Sequence, residues 1–358
     1  MPTITTSSAI AEQLLAPYLD HAVRMYESGY ASASGIDAAM KYGCGYPKGP
    51  FEVLAERGAD TPATGPDTLD TSNARTIGPI AVIGTGTMAT GIAEVFARSG
   101  HLVMIVGRSA EKSAAAKQAI EKSLAKAVSR GKLEEAVAAE IGARIETSAM
   151  EEAASKADLV VEAIAEDFEA KSYLFRVLDE YGKDDAILAT TTSSLSIAKL
   201  AELTQRPELV IGLHFFNPAP IMKLVEVVST PATSPEVVAT AFALCQEAGK
   251  VAVPCGDQAG FIVNALLFPY LNDAVKLLES GAGTVDEIDA AVTEHLGLPM
   301  GPFALLDVVG LDVSMAILNE LHDAFGDPAD VPAATLVELV EKGCLGRKTG
   351  QGFHQYSA

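Results

Sequence analysis

The sequence predicts a doubly wound α/β domain set between two helical segments, the first a partial repeat of the last. Three observations carry this. Between residues 78 and 256 short apolar runs alternate with helical stretches, the pattern of a parallel sheet covered on both faces. The first run, I-A-V-I-G at 80–84, opens directly into Gly84-Thr85-Gly86-Thr87-Met88-Ala89, a G-x-G-x-x-A turn. Residues 15–54 align with 267–306 without gaps at an offset of 252, with 19 identities in 40 positions.

Taken in chain order, residues 1–55 form a helical half-domain. L-A-P-Y-L-D-H-A-V at 15–23 matches L-F-P-Y-L-N-D-A-V at 267–275, and G-Y-P-K-G-P-F at 45–51 matches G-L-P-M-G-P-F at 297–303. Apolar residues three or four apart in the second copy (Leu267, Leu271, Ala274, Val275, Leu278) give the helical period, and the Gly/Pro-rich segments are turns. Residues 56–77, rich in Thr, Pro, Asp, Gly and Ala, read as a linker. The α/β domain spans 78–256: strands at 80–84, 102–106, 159–164, 186–190 and 209–213, with helices at 88–99 and 111–131 among those between. Residues 257–358 are helical up to a Gly-rich tail, G-R-K-T-G-Q-G-F at 346–353.

Composition narrows the function. With 26 Lys+Arg against 47 Asp+Glu, a net charge of −21, the surface as a whole repels polyanions, so nucleic acid is not an expected partner. Cys44, Cys245, Cys255 and Cys344 have neither C-x-x-C nor disulfide-framework spacing, and the six histidines are scattered, so no metal is expected. The longest uncharged apolar run, Gln258–Asn272, is too short to span a bilayer, and Met1–Ala16 has no secretory character. The expectation is a cytoplasmic protein without a membrane partner.

The strand–turn–helix at 80–99 makes the α/β domain a Rossmann-type dinucleotide-binding domain. Gly84 permits the tight turn, Gly86 lets the backbone approach a pyrophosphate, and Thr87 and Met88 open the helix whose free amides face it. Ala89 or Gly91 keeps that helix close to the sheet. At the end of the second strand, where an NAD site usually has an acid for the ribose 2′-hydroxyl, stands Gly107-Arg108-Ser109. Without that carboxylate, Arg108 can pair with a 2′-phosphate and Ser109 can donate to it, which favours NADP(H). The alternative is NAD(H), with Arg108 a solvated loop residue.

The motifs G-T-G-T-M-A-T-G-I-A (84–93), V-V-E-A-I-A-E-D (160–167), T-S-S-L-S-I (192–197), G-L-H-F-F-N-P-A-P-I-M-K-L-V-E-V-V (212–228), G-F-I-V-N (260–264) and P-M-G-P-F (299–303) occur in order across 78–356. In these the chain resembles the short-chain L-3-hydroxyacyl-CoA dehydrogenases, 3-hydroxybutyryl-CoA dehydrogenases included. The resemblance implies an acyl-CoA substrate interconverted between the (S)-3-hydroxy and 3-oxo forms. It implies His214 as general acid/base oriented by Glu226, which strand alternation can bring beside it. Ser193 and Asn264 match the catalytic serine and asparagine, which hydrogen-bond the reacting oxygens. Residue chemistry alone also allows Ser193 to be a helix cap and Asn264 a buried helix residue bonding a loop. Glu166, Lys171 and Lys348 match cofactor-contacting positions, although Lys171 also fits an exposed helix lysine. Ser123 and Arg130 match CoA-contacting positions, or else form a solvated helix end.

Four departures stand out: Gly107 for the usual acid, Ala89 for the third glycine, Thr191 for an asparagine, and His354 for a tyrosine in the closing G-F-Y. In the repeat, Glu12 stands opposite Asn264, so the N-terminal copy lacks the asparagine. Helical domains of two subunits pack together in this family. The copy is therefore expected to act as a built-in partner, giving a pseudo-dimer within one chain, or else a homodimer. The rival readings are a dehydrogenase of a free 3-hydroxy acid or sugar acid, marked by an arginine clamp, and a retired, crystallin-like binding protein.

Overall fold

The structure, a computed structural model, describes residues 6–62 and 69–356. The chain opens with helices α1 (Ser7–Glu27), α2 (Ala33–Cys44) and α3 (Pro50–Glu56). There follow β1 (Ile80–Ile83), α4 (Thr87–Arg98), β2 (Val103–Val106), α5 (Ala110–Ser129), α6 (Glu135–Ala143), β3 (Ile145–Thr147), α7 (Met150–Lys156), β4 (Leu159–Glu162) and α8 (Phe168–Tyr181). Next come β5 (Ile187–Thr190), α9 (Ile197–Ala201), β6 (Val210–Phe215), β7 (Leu224–Ser229), α10 (Pro235–Glu247) and β8 (Val251–Gly256). The chain closes with α11 (Val263–Glu279), α12 (Val285–His295), α13 (Pro302–Val309), α14 (Leu311–Phe325) and α15 (Ala334–Glu341).

Two compact units result, Asp67–Asp257 and the combination of Met1–Pro66 with Gln258–Ala358. The two helical segments, separate in the sequence and read there as two domains with the first a built-in partner of the last, fold as one unit. The expected linker is divided as well. Its residues 63–68 lie outside the described residues, while Arg75 and Ile77 pack on the α/β unit: the Arg75 amide donates to Thr240 Oγ1 at 3.1 Å and Ile77 is buried in the core.

In the α/β unit one eight-stranded sheet runs β3-β2-β1-β4-β5-β6-β7-β8. The first six strands in this order are parallel; β7 is antiparallel to β6 and parallel to β8. β1, β2, β4 and β5 are buried along their whole length, as expected of strands covered on both faces, and their Val/Ile/Leu side chains build the core with Ile92, Phe96 and Phe242. The chain reverses direction across the sheet between β1 and β4, the switch point where such sheets bind ligands. Pro254 sits in β8, an edge strand, where the amide it lacks is not needed.

In the helical unit the offset of 252 recurs in geometry. α1, α2 and α3 correspond to α11, α12 and α13, with Pro17 and Pro269 inside equivalent helices. Asp37 accepts the amides of Phe51 (2.8 Å) and Glu52 (3.2 Å); Asp289 accepts those of Phe303 (2.9 Å) and Ala304 (3.1 Å). Each carboxylate thereby caps the start of a following helix. A Cβ on Gly49 or on Gly301 would stand 2.3 Å from the facing aspartate, which explains the glycine in both copies. α1 packs on α11 and α12, and Tyr18 meets its counterpart Tyr270 edge-on at 5.8 Å. No single helix among the described residues is long and apolar enough to cross a membrane.

Candidate active site

The turn after β1 has the form an anionic group needs. Gly84 has φ 140°, and a Cβ there would lie 2.2 Å from the Ala163 carbonyl of β4's neighbouring loop, so only glycine fits. Gly86 is the N-cap of α4 and supplies no side-chain cap, while open space surrounds its Cβ position. The first-turn amides of α4, including those of Thr87 and Met88, are therefore uncapped at the positive end of a 12-residue helix, beside the switch point. These residues fit a pyrophosphate. A Cβ on Gly84 would also stand 3.1 Å from Ala89 Cβ, and one on Gly91 would stand 3.2 Å from Ala219 Cβ and from Pro220 Cδ.

At the end of β2 a Cβ on Gly107 would meet Thr85 Cγ2 at 2.7 Å and the Ser113 amide nitrogen at 3.0 Å, and the Gly107 amide donates to Ser113 Oγ at 2.7 Å. The absent carboxylate is thus built into the local packing. Arg108 is exposed. Ser109 caps α5, its Oγ accepting from the Lys112 amide at 3.3 Å.

His214 and Glu226 face each other directly in the β6–β7 ladder. The Glu226 carboxylate, fully buried, lies 2.6 Å from His214 Nδ1. The other ring nitrogen, Nε2, lies 3.0 Å from Ser193 Oγ. The imidazole is thus held between a buried anion and a hydroxyl, with Phe216 edge-on at 4.7 Å. This arrangement can carry a proton at Nε2 and stabilise the charged ring through Nδ1. Ser193 does not cap the following helix. Ser196 caps α9 by accepting from Lys199, and Asp257 accepts from Ser196 Oγ and from the Ile197 and Ala198 amides at 2.8–3.0 Å.

The loop carrying Ser193 hangs on Glu166. Its Oε1 accepts from Thr192 Oγ1 (2.5 Å), the Ser193 amide (2.9 Å), the Ser194 amide (3.1 Å) and Ser194 Oγ (3.0 Å). Burial pushes the Glu166 carboxyl up, but the Lys171 charge and these donors outweigh it and hold the group below the usual range. Lys171 is not an exposed helix lysine. It is 1% exposed, with Nζ 2.7 and 2.8 Å from the two oxygens of buried Glu162 and 3.2 Å from Glu166 Oε2. Glu162, Thr192 and Asp257 are the residues missed in the sequence; a lone acid inside the apolar run L-V-V-E-A-I was the available signal for Glu162.

Ser123 lines a cleft of ≈ 220 Å³ with Thr87, Thr90, Asn217 and Ile221. Arg130 is the exposed C-cap of the same helix, α5. The remaining two expected residues belong to the helical unit. Asn264 is buried in the first turn of α11, just after Phe261, a non-glycine residue at φ 49°. Lys348 pairs with Asp312 at 2.5 and 2.7 Å. In the N-terminal copy, Glu12 forms a two-pronged pair with Arg57 at 2.6 and 2.8 Å. His354, at the tail, bonds buried Asp307 at 3.0 Å, a carboxylate that also accepts the Phe353 and His354 amides and Tyr356 Oη.

Comparison with known proteins gives a consistent result. The sequence profile of the 3-hydroxyacyl-CoA dehydrogenase NAD-binding domain matches residues 79–258, and that of the C-terminal domain matches residues 10–82 and 260–356. A 3-hydroxybutyryl-CoA dehydrogenase of Clostridioides difficile is 43% identical over 278 residues, covering 78% of this chain and 99% of the relative. A mitochondrial hydroxyacyl-coenzyme A dehydrogenase of Sus scrofa is 42% identical over 284 residues, covering 77% of this chain and 90% of the relative. The crystal structure of an (S)-3-hydroxybutyryl-CoA dehydrogenase from Ralstonia eutropha is 36% identical and superposes with a TM-score of 0.77, covering 79% of this chain and 100% of that one.

Proposed function

The chain belongs to the 3-hydroxyacyl-CoA dehydrogenase family, an oxidoreductase with a nicotinamide cofactor, and we propose that it interconverts short-chain (S)-3-hydroxyacyl-CoA and 3-oxoacyl-CoA with NADP(H). The observation that carries the reading is the imidazole of His214 held between Glu226 and Ser193. The cofactor, when bound, supplies or accepts the hydride at C3. In reduction His214 Nε2 gives its proton to the oxygen that becomes the hydroxyl, and in oxidation it removes that proton. Glu226 fixes the ring through Nδ1 and stabilises its charged form. Ser193 donates to the reacting oxygen and polarises the carbonyl; Asn264 is assigned the same task from its sequence match alone.

Gly84, Gly86, Thr87 and Met88 are assigned to the pyrophosphate, and Glu166 with its neighbour Lys171 to the nicotinamide half. The NADP(H) preference is supported by the missing carboxylate at Gly107 beside the exposed Arg108 and Ser109. Ser123, in its cleft, and Arg130 are assigned to CoA. Lys348 is assigned to the cofactor from its sequence match alone. The N-terminal copy is read as an internal substitute for a second subunit's helical domain, supported by the packing of α1 on α11 and α12. Sedimentation of a monomer supports that substitution and a dimer removes it. A His214→Ala variant tests the catalytic assignment: loss of turnover with retained cofactor binding is expected, and unchanged turnover overturns it.

A further inference from the structure

Where the two copies of the repeat meet, the helical unit holds a cavity of ≈ 340 Å³. Its apolar wall comes from both copies, Leu15 and Val53 from the first, Leu296 and Leu298 from the second. Tyr18 and its counterpart Tyr270 also line it, 7% and 4% exposed. Among the described residues neither phenol oxygen has a hydrogen-bond partner. Nearly all buried polar atoms in folded proteins are paired, so two such hydroxyls side by side ask for an explanation. Packing alone would be served as well by phenylalanine at both positions. Burial pushes both phenols up, so they stay protonated and able to donate. The charged members of the lining are already matched: Lys48 pairs with Glu56 at 2.6 Å, and Arg57 with Glu12 at 2.6 and 2.8 Å. An anionic headgroup would gain little there, and a carboxylate beside the tyrosines would lose its hydration.

We propose that this cavity is a binding site for a small uncharged molecule, mostly apolar and carrying an oxygen that accepts hydrogen bonds from Tyr18 and Tyr270. The volume falls within the range of small-ligand pockets, about 300–1,000 Å³, and the lining has their pattern of apolar walls with a few polar groups. Part of the wall belongs to the N-terminal copy, so the site gives that copy a role of its own. The ligand supplies the acceptor that the two phenols lack and covers the apolar wall at the same time.

The probe is 1-octanol, with octanoate as its charged counterpart, titrated into the full chain by calorimetry. Saturable binding of one octanol per chain is expected, with octanoate weaker by about tenfold or more. Leu298→Trp fills the cavity from a half-buried position and is expected to weaken octanol by about tenfold or more. The double variant Tyr18→Phe/Tyr270→Phe is expected to weaken it about fivefold, the worth of one neutral hydrogen bond. The same variant is expected to leave the Tm of the free protein unchanged or higher, because no paired hydroxyl is lost. Absence of saturable binding overturns the proposal. So does octanol binding that Leu298→Trp leaves intact, which places the molecule elsewhere on the chain, and so does octanoate binding as tightly as octanol. If Leu298→Trp does not fold, the tyrosine variant decides alone. An unchanged octanol Kd, or a lowered Tm that marks the hydroxyls as serving the fold, then overturns the proposal. Neither acyl-CoA nor nicotinamide enters the titration, so its result is independent of the catalytic reading.

Discussion

Replacing Glu226 by glutamine preserves shape in a fully buried position and removes one charge 2.6 Å from His214 Nδ1. With charge centres about 4 Å apart and an effective dielectric of about 20, the lost attraction to a protonated ring is about 4 kcal/mol. If that attraction is realised when the imidazolium forms, kcat falls about a thousandfold. The amide adds a second fault. Its NH2 group can donate to Nδ1, which forces the proton onto Nε2 and leaves no base facing Ser193. The oxidation of (S)-3-hydroxybutyryl-CoA, which needs a base, is therefore expected to lose more than the reduction of acetoacetyl-CoA. The assay is kcat in both directions, followed at the nicotinamide absorbance, with thermal unfolding as the control for folding. A loss under about tenfold in both directions, in a folded variant, refutes the assignment of Glu226 and the electrostatic argument with it.

Other outcomes follow from single positions. Gly84→Ala places a methyl group 2.2 Å from the Ala163 carbonyl at φ 140°, and the strain of about 1–3 kcal/mol is expected to weaken cofactor binding by tenfold or more in a fluorescence titration. Arg108→Ala is expected to raise the KM for NADPH and leave that for NADH, so equal effects on both remove its role. Asp289→Ala and Asp37→Ala each lose two hydrogen bonds to a charged acceptor and are expected to cost about 2–4 kcal/mol in denaturant unfolding, similarly in the two copies. Burial pushes the Asp37 carboxyl up to about 6 from 3.8, against its two amide donors. A carboxyl raised in the folded state contributes stability that is full below its unfolded value and lost as pH rises through about 6. Asp37→Asn is thus expected to flatten that part of the Tm–pH curve, and an unchanged slope contradicts it.

The legible parts of the sequence were those where one local rule acts. The strand, glycine turn and helix at 80–98 follow from an apolar run meeting G-x-G. The His214–Glu226 pairing follows from a strand that returns beside its neighbour with a period of two. The repeat was visible because the helix-capping aspartates and the glycines facing them are kept at the same offset. What stayed hidden depends on distant partners. Lys171 looks like any helix lysine until β4 brings Glu162 to it, and Ser193 competes as a cap with Ser196 until Asp257 selects the latter. β3 and β8 are sheet edges, one short and one half-buried, with too little apolar alternation to mark them. The joining of two helical segments into one unit was legible only through the repeat, which offered the first as a partner for the last; the helices that meet, α1 with α11 and α12, are a matter of packing.

The most direct test is the reduction of acetoacetyl-CoA with NADPH and NADH compared side by side. Turnover is expected with both cofactors, with kcat/KM for NADPH far above that for NADH. Preference for NADH contradicts the role given to Gly107 and Arg108, and turnover with neither contradicts the short-chain acyl-CoA assignment itself.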